Sequence, residues 1–135
     1  MELTLQPERL AMAKAKTNKV PDEIISVGLY GNFKQGKHLS KFLGKAEVVG
    51  DCQTLQPFLC YNGLGGISKL HNINAGKLIK LQQVTMLSSA YKYLLNHFNM
   101  VSIKTKTTIG LLEVPMQKSN DLDLTFINEG YYDGE

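Results

Sequence analysis

The chain has 135 residues, 43% hydrophobic and 20% charged, which suits one globular domain and excludes a disordered polymer. No apolar run approaches the ~20 residues that span a bilayer. The opening stretch MELTLQPERLAMAKAK has no signal-peptide core, so a cytoplasmic protein with no membrane partner is expected, or a host-cytoplasmic one if the source is viral. The net charge of +3 conceals a polarised chain: residues 1–23 are neutral, residues 24–112 carry +8, and residues 113–135 carry −5. From Cys52 to Leu112 there is no acid at all.

In chain order, Pro7 opens a run of good helix formers that predicts a short helix or arm within residues 1–22. Residues 23–116 should form the folded core, and residues 117–135 an acidic, partly flexible tail. The β-branched and aromatic stretch Glu23–Phe33 predicts a strand, Lys34–Lys37 a hairpin turn, and His38–Val49 the return strand. Gly50-Asp51 reads as the next turn and Cys52–Tyr61 as a third strand. Asn62–Gly66 reads as a flexible loop, and Gly76–Val84 as a strand or a run into the following helix. Met86, Leu87, Ala90, Tyr91, Leu94, Leu95 and Phe98 recur at helical spacing, predicting an amphipathic helix over Thr85–Phe98. Val101–Thr107 alternates as a half-buried strand, with Lys104 and Lys106 on one face. Thr108–Val114 follows as a strand that Pro115 should end. The fold class is α+β: a small curved antiparallel sheet or partly open barrel, OB-like barrels included, with one long helix and an acidic C-terminal tail.

Chemistry is sparse in this pattern. His38, His71 and His97 are isolated, and no nucleophile elbow, P-loop or metal-ligand spacing occurs. No catalytic residue, metal or cofactor is assigned, and the expectation is a protein that is not an enzyme. Cys52 and Cys60 read as buried thiols. Gly63-Leu64-Gly65-Gly66 with Lys69 offers only the raw material of an anion-binding loop.

The strongest constellation is Tyr30, Phe33, Lys34, Lys37, His38, Lys41, Phe42 and Lys45, of which all but His38, together with Lys104 and Lys106, are the candidate nucleic-acid-binding residues. Cations that track a backbone, interleaved with aromatic faces that accept bases, suit single-stranded DNA or RNA. With Arg9 as the only arginine, sequence-specific reading of base edges is not expected. The acidic segment carries Asp121, Asp123, Phe126, Tyr131, Tyr132 and Asp133, residues suited to docking a replication, repair or assembly protein. This charge layout resembles that of many single-stranded DNA-binding proteins of bacteria and phages, where the acidic tail competes for the nucleic-acid groove. The likeness lies in charge layout, and no family motif accompanies it. The expected function is therefore non-specific single-stranded nucleic-acid binding, with homo-oligomers allowed. The rival reading is a small viral-type assembly or host-inhibitor protein that works through protein contacts.

Overall fold

A computed structural model describes residues 22–72, 76–118 and 131–135. The helix or arm expected within residues 1–22 lies almost wholly outside that range, as do Asp121, Asp123 and Phe126. Seven strands are described: β1 (Ile24–Leu29), β2 (Glu47–Gln53), β3 (Leu59–Asn62), β4 (Ser68–His71), β5 (Lys80–Leu87), β6 (Met100–Thr107) and β7 (Gly110–Gln117). One α-helix, α1 (Ser88–His97), follows β5.

Five strands form one sheet in the order β2-β5-β1-β7-β6, and β3 and β4 form a separate hairpin. The large sheet is mixed: β1 runs parallel to β7 and antiparallel to β5. It is open at β2 and β6, so the expected antiparallel sheet or closing barrel is corrected. The physical reason lies in β5, which inserts between β1 and β2 and replaces the hairpin that Lys34–Lys37 was expected to close. The chain after β1 instead makes two single turns of 3-10 helix, Gly31–Phe33 and Ser40–Leu43. The Gln35 backbone N–H fastens this connection to the Gln82 side chain on β5 at 2.7 Å.

Period-two alternation sends β1 side chains to both faces of the sheet. Val27 and Leu29 pack with Val84, Met86, Tyr91, Leu94 and Phe33 beneath α1. Tyr30 packs on the other face with Phe58, Cys60, Leu70, Leu81, Leu112 and Val114, beneath the β3–β4 hairpin. The molecule is thus three layers: helix, mixed sheet, small hairpin. Gly28 sits where an added Cβ would lie 3.0 Å from Leu81 and 3.1 Å from Leu112, so the second core closes over bare backbone.

The helix starts later than its apolar spacing suggested. Thr85–Leu87 stay in β5, and Asp22 rather than Thr85 supplies the cap, accepting from the Ser89 backbone N–H at 3.0 Å. That bond and the Ser88 and Ser89 hydroxyls hold the Asp22 carboxyl below the usual carboxylate range. Strands β6 and β7 form the expected hairpin, closed by Thr108-Ile109. Pro115 does not end β7; it pairs with Ser102 inside the strand.

Candidate functional site

β1 ends in Tyr30-Gly31-Asn32-Phe33, and this turn gathers polar groups from three other parts of the chain. Gly31 takes a φ of +57°, a conformation most side chains avoid. A Cβ there would overlap the Tyr132 hydroxyl and the Ser68 side chain, so glycine is required on both counts. The Gly31 N–H donates to the Gly134 carbonyl at 2.8 Å. The Asn32 N–H donates to Ser68 Oγ at 2.8 Å, and its Nδ2 donates to the Gly66 carbonyl at 2.7 Å. Ser68 in turn donates to Asn62 Oδ1 at 2.9 Å. Tyr132 Oη completes the cluster, 3.0 Å from Ser68 Oγ and 3.2 Å from Asn62 Oδ1.

The β3–β4 hairpin makes this arrangement possible. Its register places Asn62 directly opposite Ser68, so the two side chains meet at the hairpin's end. The Gly63–Gly66 loop between them supplies the carbonyl that orients Asn32. Below the turn the groups are buried and neutral. Tyr30 is fully buried and donates its hydroxyl to the Pro115 carbonyl, and burial raises its pKa. Burial pushes the Cys60 thiol up to about 12 and raises the Tyr132 phenol. Cys52 is partly buried and Cys60 buried; both thiols are free, with no disulfide between them. His71, also buried, has its pKa lowered by desolvation.

The remaining side of the site is the segment Tyr131–Glu135. Tyr132 bridges to Cys60 and donates its N–H to the Cys60 carbonyl at 3.0 Å. The Lys80 N–H donates to the Asp133 carbonyl at 2.6 Å. Lys80 Nζ lies 3.3 Å from Asp133 and 3.2 Å from Glu135. The Lys77 ammonium sits 5.0 Å from the centre of the Tyr131 ring. This end of the acidic tail is therefore packed on the body, where its composition suggested a mobile end.

The residues first singled out for nucleic acid fall elsewhere. Tyr30 and Phe33 have no exposed surface, so neither offers a face for a base. Phe42 is half-buried, packed edge-on against Phe98 at 5.0 Å and tilted over His97 at 4.7 Å. Lys34, Lys37, Lys41 and Lys45 lie on the connection between β1 and β2, with Lys41 5.5 Å from the Phe42 ring centre. Lys104 and Lys106 are exposed on β6, with β7 between that strand and β1. Lys104 is paired with Glu113 at 3.8 Å. Gly31, Asn32, Asn62 and Ser68 were missed, because a backbone donor leaves no mark in composition. Tyr30-Gly31 at the end of an apolar strand was the available signal.

Among the described residues, no group of three or more His, Cys, Asp or Glu is placed to hold a metal ion. None of the described helices is long and apolar enough to cross a membrane.

No protein-family model matches the chain, and no curated protein matches it in sequence. Solved structures do. An AIG2-like protein (GGACT) from Mus musculus is similar with a TM-score of 0.67 at 12% identity, over 84% of this chain and 88% of that one. The uropathogenic E. coli protein c4763 gives 0.63 at 13% identity, over 82% and 87%. Uncharacterized protein PH0828 from Pyrococcus horikoshii gives 0.61 at 12% identity, over 81% and 86%. The chain shares the fold of these structures, the AIG2-like protein among them. The expectations of nucleic-acid binding, of a non-enzyme and of a viral-type protein are corrected on this finding: the solved structures that share the fold include an AIG2-like protein, and the aromatics expected to stack on bases, Tyr30 and Phe33, are buried.

Proposed function

We propose that the chain is an enzyme that acts on a small amide at the β1 turn, by a cyclotransferase-type reaction on γ-glutamyl amides. The observation that carries this reading is the Gly31 N–H, which donates to a carbonyl oxygen from a segment distant in sequence. A donor so aimed is suited to a substrate carbonyl, and is worth most when negative charge develops on that oxygen. The fold similarity to the mouse AIG2-like protein supports the substrate class.

In such a reaction the substrate's α-amine attacks its own γ-carbonyl. A ring C–N bond forms and the amide C–N bond breaks; of the two protons lost by the attacking ammonium, one goes to the departing amine nitrogen and the other to water, or to that amine where it is basic enough to leave as an ammonium ion. The protein need supply no nucleophile. The buried Cys60 thiol and Tyr132 phenol agree with that, being held neutral at physiological pH. Ser68 and Asn62 would position the substrate's polar end, and the Gly31 N–H would hold the oxyanion.

The test is incubation of the purified protein with γ-glutamyl-p-nitroanilide, following p-nitroaniline by absorbance and 5-oxoproline by mass spectrometry. Turnover is expected, and Gly31→Ala, whose Cβ would collide with Ser68 and Tyr132 at a φ of +57° and so displace the N–H donor, should lower it by about 100-fold. A folded protein producing no 5-oxoproline above the uncatalysed rate from any γ-glutamyl amide would end this reading.

A further inference from the structure

We infer that Tyr131–Glu135 is a displaceable strap that occupies the ligand position of the β1 turn, so that the described arrangement is the closed state of the site. The ligand's identity rests on the reading above; the docking itself does not. The strap presents the groups that a γ-glutamyl amide would present. Its Gly134 carbonyl takes the Gly31 N–H, its Tyr132 hydroxyl fills the Ser68–Asn62 corner, and its Asp133 and Glu135 carboxylates meet Lys80. On removal of the strap, Lys80 becomes the residue that holds the substrate's α-carboxylate.

The fit is shape-specific. Gly134 has a φ of +95°, and a Cβ there would stand 2.5 Å from the Lys80 carbonyl oxygen and 2.8 Å from the Ile79 side chain. Substituting this residue therefore disturbs the strap without touching the turn. The attachment is also weak in kind. The strap joins the body through one isolated bridge at Cys60 and two further backbone hydrogen bonds, at Gly31 and Lys80, rather than a full strand ladder. Its ion pairs are surface pairs, with the Lys80 side chain 48% and that of Glu135 65% exposed. An occupant held in this way yields to a competitor that offers the same carbonyl and carboxylate.

The experiment compares the full chain with one ending at Gly130. Hydrogen exchange of the Gly31 amide, read by NMR, should speed up at least 10-fold on removal of the strap. Adding the synthetic peptide Tyr-Tyr-Asp-Gly-Glu should restore protection, while Tyr-Tyr-Asp-Ala-Glu should not. In the γ-glutamyl-p-nitroanilide assay, loss of the strap should lower KM about 10-fold with kcat changed much less. Unchanged Gly31 protection in the shortened chain would overturn the proposal. So would loss of turnover on shortening, which would make the strap part of the machinery. Should the shortened chain not fold, the full chain carrying Gly134→Ala is read in the same way. If the peptide docks but no form turns over any γ-glutamyl amide, the strap stands and the substrate reading fails.

Discussion

Tyr30 shows how one side chain can be read in two ways. Aromatic and flanked by lysines, it looks like a stacking surface. Folded, it is a fully buried strut whose hydroxyl donates to the Pro115 carbonyl across the second core. Its Phe33 neighbour stands edge-on to it at 6.1 Å and to Phe98 at 5.3 Å, so these aromatics form a packed ladder. Tyr30→Phe would leave that buried carbonyl without its donor, at a cost of about 1–3 kcal/mol. Urea denaturation measures this as a lower midpoint at unchanged slope; an unshifted midpoint would show that the bond contributes nothing.

Among the elements, the strap is the one whose hold depends on pH. Burial opposes ionisation of Asp133, yet Lys80 outweighs it and keeps that carboxyl below its ordinary value of 3.8. A depressed carboxyl contributes to docking above its ordinary value and loses that contribution as pH falls through the lowered one. Glu135 first and Asp133 second raise Lys80 above its ordinary 10.5, so its contribution holds below 10.5 and fades as pH rises past the raised value. Affinity of the shortened chain for Tyr-Tyr-Asp-Gly-Glu, measured by calorimetry, should therefore be flat through neutrality and fall at both extremes. Added salt should weaken it throughout, since both partners are exposed and the screening length is ~10 Å at 0.1 M. Affinity that rose on acidification would contradict this pairing.

At the scale of the whole molecule, local pattern was legible and long-range pairing was not. The β6–β7 hairpin and most of α1 could be read because alternation and helical spacing are local signals. The course of the sheet could not. Nothing between Leu29 and Glu47 announces that β5 will come between β1 and β2, or that β7 will lie parallel to β1. The site suffered most, because Gly31, Asn32, Asn62, Ser68 and Gly134 meet only after these non-local pairings have formed. Charge counting found the acidic segment but not its seat.

The open sheet ends at β6, whose margin is covered at one end, where the Leu55 N–H donates to the Lys106 carbonyl at 2.9 Å and Thr54 bridges Thr107; over the rest of its length no further described strand pairs with it. Such a margin is a template on which a second molecule can lay a strand. Lys104 and Lys106, exposed along it, make that approach unfavourable by bringing like charges together when two copies align. These lysines then act as gatekeepers against edge-to-edge pairing of two copies. The substitution Lys106→Val, at a lysine with no ion pair among the described residues, should leave thermal stability within about 0.5 kcal/mol yet produce concentration-dependent growth in light scattering. A variant that stays monodisperse would place the protection elsewhere on the margin.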